Sequence, residues 1–228
     1  VRAIAENLRE VEERIARAAE RCGRSPREIR LVAVSKTQPP EVVREAVAAG
    51  VRELGENYVQ EAEAKFATLG ETRVIRHFIG HLQKNKAGKA VALFDMIQSV
   101  DSLELAQALA RRGAAIGRIP EILIEVNISG EGSKYGVAPE RALDLAGEIA
   151  AVPGVKLCGL MGIGPLAPPN DAAVRRCFSE LARLFEQLPP AQRQVLSMGM
   201  TGDFEAAIAE GSTMVRIGTG IFGARRSS

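Results

Sequence analysis

In the segment LVAVSKTQPP (31–40), a β-branched apolar run of strand type leads straight into Lys36 before a proline-marked break. An amine at the end of a core strand can act as a phosphate counter-charge, a general base or a nucleophile toward a carbonyl, and partial desolvation lowers its pKa toward the last two roles. The alternative is a lysine whose stem simply carries its charge out to water. Far along the chain, LSMGMTGDFEAAIAEGSTMVRIGTGIFG (196–223) gathers glycines and hydroxyls. Thr201 precedes a predicted helix over 203–210, so its hydroxyl and that helix's N-terminus can donate to phosphate oxygens, and Gly218-Thr219-Gly220 can close the other side. Lysine, phosphate cup and a buried arginine, Arg216, together suggest pyridoxal 5′-phosphate (PLP). Lys36 would form the aldimine, the cup would hold the phosphate, and Arg216 would face the ring nitrogen. A permanently cationic arginine there keeps the nitrogen unprotonated and weakens the ring as an electron sink.

These groups need a scaffold that brings residues 36 and 201–219 together. Ile4, Leu8, Val11 and Ile15, led by Val1, recur at helical steps up to a stop at Gly23. After the first strand (29–36), Pro39 and Pro40 open a helix that Gly50 ends. Apolar runs then recur at 51–55, 74–80, 94–100, 121–127, 155–163, 195–199 and 213–218, separated mainly by helical patterns. Among these helices, DSLE at 101–104 reads as a capping box closed by Gly113, a second runs from Pro139 to Ala151, and a third from Ala172 to Leu188. Eight strands with crossover helices and no GxGxxG turn predict an α/β fold, a single (β/α)8 TIM-type barrel over residues 1–228 with an extra N-terminal helix. The working face is then at the C-terminal strand ends, where Lys36, Asn57, His77, Ser99, Asn127 and Arg216 are expected to converge.

Composition narrows the ligand class. The 228 residues carry 30 basic and 28 acidic side chains, a formal +2, which does not favour a polyanion; tryptophan is absent and aromatics make up 4%. Cys22, Cys158 and Cys177 are odd in number and dispersed, which predicts a reducing, cytoplasmic setting rather than a disulfide framework. No apolar run reaches the roughly 18 residues of a membrane span. His77 and His81 are four apart, but on a strand running into a loop, so His77 reads as a hydrogen-bonded barrel residue rather than a metal ligand. Lys84, Lys86 and Lys89 read as a solvated helix start, and Lys134 sits in a glycine-rich loop where it meets either anions or solvent.

The segments AVSKTQP, GENYVQE, HFIGHLQKNK, EVNIS, GLMGI, SMGMTGDFEAAI and GSTMVRIGTGIFG resemble the pyridoxal phosphate homeostasis protein family across nearly the whole chain. That family is similar to the N-terminal barrel of alanine racemase. The resemblance implies a cytoplasmic PLP-binding protein of vitamin B6 and amino-acid balance, with Lys36 as the aldimine lysine and Arg216 as the ring-nitrogen partner. It places Thr201, Gly218 and Thr219 in the phosphate cup, Asn57 near the cofactor, and Ser197 and Met200, of the SMGMT loop, lining the site. Thr201 stands where many members have serine and keeps the hydroxyl, while Gln38 stands where some have lysine. The related racemase takes a second acid/base, a tyrosine, from a separate β domain, whereas this chain ends at FGARRSS soon after the eighth strand. The expectation is therefore a monomeric PLP carrier or regulator with little or no turnover, with apo PLP-dependent enzymes as candidate recipients. A slow PLP-dependent amino-acid racemase is the alternative.

Overall fold

The structure, a computed structural model, describes residues 3–70, 72–132, 135–165 and 172–223. Its eight strands are β1 (Arg30–Val34), β2 (Glu53–Glu56), β3 (Ile75–Phe78), β4 (Met96–Val100), β5 (Glu121–Val126), β6 (Lys156–Gly162), β7 (Val195–Ser197) and β8 (Met214–Ile217). They form a closed parallel barrel in sequence order, sealed where Val32 of β1 lies beside Arg216 of β8. Helix α1 (Ile4–Arg21) precedes the barrel. The crossovers carry α2 (Pro40–Ala49), α3 (Val59–Leu69), α4 (Ala87–Leu93), α5 (Leu103–Ala114), α6 (Ala142–Ala150), α7 (Ala172–Glu186) and α8 (Phe204–Ala209), and α9 (Thr219–Phe222) follows β8. The (β/α)8 barrel with an added N-terminal helix is as expected.

Strand alternation sorts the side chains into two cores. Val32, Met96, Leu123, Cys158, Met161, Val195 and Met214 pack inside the barrel. Their neighbours Ala33, Ile97, Ile122, Ile124, Leu160, Leu196 and Val215 pack outward against the helices. Helix α1 buries Leu8, Val11 and Ile15, each contributing about 2 kcal/mol of apolar burial, and lies over α8 and α9. Asn7 Nδ2 donates to Ile221 O at 2.9 Å, and Arg14 bonds Glu205 at 2.8 Å while covering the Phe204 ring. Among the described residues, no helix is long and apolar enough to cross a membrane.

Several boundaries differ from expectation. The strand expected from residue 51 begins at Glu53, because Val51 N still donates to Ala46 O in the close of α2. The DSLE segment forms no capping box: Ser102 is the N-cap, yet its hydroxyl donates to Asp101 Oδ1 instead of receiving a helix amide. A capping box occurs at Ser25 and Glu28, around a 3-10 turn just ahead of β1. Gly113 lies inside the last turn of α5, and a Cβ there would sit 2.4 Å from Arg118 O, so close approach of the chain, not helix termination, selects glycine. Val1 and Lys134 lie outside the described residues.

Candidate functional site at the barrel mouth

Lys36 stands two residues beyond β1, and Ser35 N still donates to Gly55 O at 3.0 Å, so the ladder continues up to it. With Val32 inside the barrel and Ala33 outside, continuation of the strand alternation puts Lys36 on the inward side of the mouth. The next residue, Thr37, has φ 65°, a left-handed conformation that a β-branched residue rarely adopts. The turn that ends β1 is therefore strained directly beside the lysine.

Across the seam, two turns after β7 and β8 face each other. Asp203 Oδ1 accepts from Met200 N at 2.6 Å and folds the chain back into α8. Gly199 makes this turn possible: its φ is 96°, and a Cβ would lie 2.9 Å from Phe204 Cα. Thr201 Oγ1 accepts from Gly220 N at 3.4 Å, linking the β7 turn to α9, which Gly218 caps and Thr219 begins. Among the described residues, the amides of Thr201, Gly202 and Thr219 meet no acceptor, which is the donor set that an anion requires. The structure thus brings Thr201, Gly218 and Thr219 together at the expected end of the barrel, and the donors present fit a phosphate group.

Arg216 spans the interior below this cup. Its Nη1 donates to Ser197 Oγ at 2.6 Å and its Nη2 to Gly162 O at 2.9 Å. Ser197 is fully buried beneath the guanidinium. The hydrogen bonds continue: Ser197 Oγ donates to Gln98 Oε1 at 2.7 Å, and Gln98 Nε2 donates to His77 Nδ1 at 3.0 Å. His77 Nε2 donates to Glu53 Oε2 at 2.9 Å, and Arg30 grips the same carboxylate with two bonds. Burial pushes the Glu53 carboxyl up, but hydrogen bonds from His77 and Arg30 leave it below its ordinary value, so it accepts and fixes the tautomer of His77. Burial lowers Arg216 to about 10, opposed by Glu125 and Asp203, so it stays cationic at neutral pH. His77 is thus the hydrogen-bonded barrel residue expected of it.

Two acceptors face the other half of the mouth. Glu125 occupies the inward position after Leu123 on β5, and burial raises its carboxyl to about 7 against the pull of Arg216, with Asp101 adding to the rise. Asn57, directly after β2, has a buried Oδ1 without a partner. Both line a cavity of about 450 Å³ walled by His81 and Tyr135, whose rings stack at 3.8 Å. Sequence reasoning missed Glu125 and Gln98. The available signal was a charged or amide side chain two residues after an inward apolar one, but the register was needed to read it. Ser99, expected at the mouth, alternates with Gln98 and leaves the inward set, and its buried Oγ has no partner. Asn127 turns into its own loop, its side chain bonding Glu131 O and Ser129 Oγ. Lys84 and Lys86 form a 3-10 turn ahead of α4, and Lys89 pairs with Glu63.

The profile of the family described as alanine racemase, N-terminal domain, matches residues 3–226. The pyridoxal phosphate homeostasis protein of Pseudomonas aeruginosa is 46% identical over 223 residues, covering 97% of this chain and 96% of that protein. Its Escherichia coli counterpart is 45% identical over 230 residues, covering 97% of each. The structure of PipY from Synechococcus elongatus with PLP bound is 37% identical with a TM-score of 0.81, covering 96% of this chain and all of that one.

Proposed function

Because the chain belongs to the alanine racemase N-terminal domain family, we propose that it binds pyridoxal 5′-phosphate and acts in intracellular PLP and amino-acid homeostasis with little or no turnover. The observation that carries this reading is the pairing, across the β8–β1 seam, of Lys36 with a cup of unengaged amides and Thr201. Relatives of nearly equal length are named for PLP homeostasis, and PipY is described with PLP bound. When bound, PLP supplies an electrophilic aldehyde and an electron-accepting ring.

The residues divide the work. Thr201, Gly218 and Thr219 would hold the phosphate through backbone and hydroxyl donors, with Met200 in the same turn. Lys36 would supply the amine that holds the aldehyde, and Asn57 would contribute a polar contact near it. Arg216, held by Ser197 and Gly162, would be the partner of the ring nitrogen, and its permanent charge would disfavour protonation there. The two tyrosines, Tyr58 and Tyr135, are 60% and 56% exposed, which suits solvent exchange better than proton transfer in a closed site.

The test is an absorbance spectrum of the PLP-loaded protein. A visible band bleached by borohydride, and lost in Lys36→Ala, is expected; an identical spectrum in Lys36→Ala sinks the assignment. Incubation with one enantiomer of an amino acid is expected to leave it unchanged. Racemisation abolished by Lys36→Ala would instead establish an enzyme.

A further inference from the structure

We propose that Lys65, on the outer side of the barrel wall, is a positioning residue that fixes the backbone on both sides of Lys36. The inference rests on the reading of Lys36 as the amine that receives PLP. Lys65 projects from α3 toward the β1–β2 wall and its side chain is 4% exposed. Its ammonium has three donors and three acceptors: Ser35 O at 2.5 Å, Glu56 Oε1 at 2.8 Å and Glu61 Oε1 at 2.6 Å. Ser35 Oγ donates to the same Glu56 oxygen at 2.6 Å, and Glu61 Oε1 also accepts from Thr37 N at 2.5 Å.

These bonds grip both peptide groups that adjoin the Lys36 Cα. The Ser35 carbonyl belongs to the peptide before it and the Thr37 amide to the peptide after it, so the clamp sets φ and ψ of Lys36 itself. A buried lysine between carboxylates is a poor device for stability alone, since apolar residues of similar volume often do as well. Burial raises the Glu56 carboxyl in spite of Lys65 and Ser35, and its Oε2 has no partner, so the cluster carries a desolvation cost. What the cluster supplies is geometry: Gln38 N closes the turn on Ser35 O at 3.0 Å with Thr37 left-handed inside it, and the cluster anchors that turn to α3 and so aims the Lys36 side chain. Glu56 precedes Asn57, so the same anchor also fixes where β2 delivers that residue.

The experiment compares PLP with 4′-deoxypyridoxine 5′-phosphate, which has a methyl group in place of the aldehyde and cannot bond an amine. In Lys65→Met and Glu61→Ala, PLP affinity is expected to fall about tenfold and the borohydride-trapped adduct to form more slowly, while the analogue binds within about twofold of wild type. In ligand-free protein, exchange of the Thr37 amide is expected to quicken in both variants. If Lys65→Met fails to fold, Glu61→Ala decides, because Glu61 is partly exposed and the Lys65–Glu56 pair remains. Unchanged PLP affinity and adduct rate in the variants overturn the proposal, as does an equal loss of both ligands in Glu61→Ala. A wild-type protein that yields no trapped adduct refutes the role of Lys36, while Thr37 exchange still reports on the clamp.

Discussion

On the β1–β2 side of the mouth the backbone around Lys36 is held by charged side chains packed against the outer face of the wall, whereas on the β7–β8 side the chain is shaped by glycine, short helical turns and one aspartate. The first arrangement spends its donors internally and leaves one side chain directed inward. The second leaves amides without acceptors. A site that must fix an amine and also seat an anion needs both, because a covalent partner demands direction while a phosphate demands several converging donors.

The strongest way to break this contrast is Lys65→Met, which removes the cation from the buried Glu56 carboxyl and leaves the Ser35 carbonyl with Gln38 N alone. Removing one partner of such a pair costs about 3–5 kcal/mol, or roughly 10 °C in Tm for a domain of this size, measurable by thermal or urea unfolding. Next comes Glu125 on β5, whose buried carboxyl feels the opposed charges of Arg216 and Asp101. From the ordinary 4.5 up to about 7, the folded protein keeps a proton that the unfolded chain releases, so stability falls as pH rises through that window, by up to ~3 kcal/mol. Glu125→Gln is expected to flatten this slope and to exceed wild type in stability at pH 8; an unchanged slope places the titration elsewhere.

Gly199→Ala sharpens the comparison from the other side. Strain at a φ of 96° and the approach to Phe204 should cost about 2 kcal/mol and shift the Thr201 turn. Unlike the Lys65 and Glu61 variants, it should weaken PLP and its deoxy analogue alike in a binding titration. The smallest effect is expected for Thr37→Gly. Relief of the left-handed strain and the added freedom of the unfolded chain nearly cancel, within about 1 kcal/mol, while adduct formation slows as the turn loosens.

The eight-stranded plan was legible because each strand is a short apolar run bounded by helical punctuation, and the mouth residues Lys36, Asn57, Thr201, Gly218 and Thr219 follow strand ends that the pattern exposes. What stayed hidden depends on tertiary packing. Lys65 in VQEAEAKFATL reads as an ordinary helix lysine with an acid four residues before it, and only the approach of β1 and β2 shows that it is buried. Gln98 and Glu125 required knowledge of which strand face turns inward. The misplaced capping box had the right letters, but the Ser102 hydroxyl found a nearer acceptor in Asp101.

The seam between β8 and β1 joins strands nearly two hundred residues apart in sequence, so its contacts carry a large loop-closure cost. A cofactor tethered to Lys36 on one bank and seated in the cup on the other would act as a clasp on that closure. Its occupancy would then slow unfolding and protect the newly made protein from proteolysis, making the cell's supply of the vitamin a determinant of how much of this protein survives.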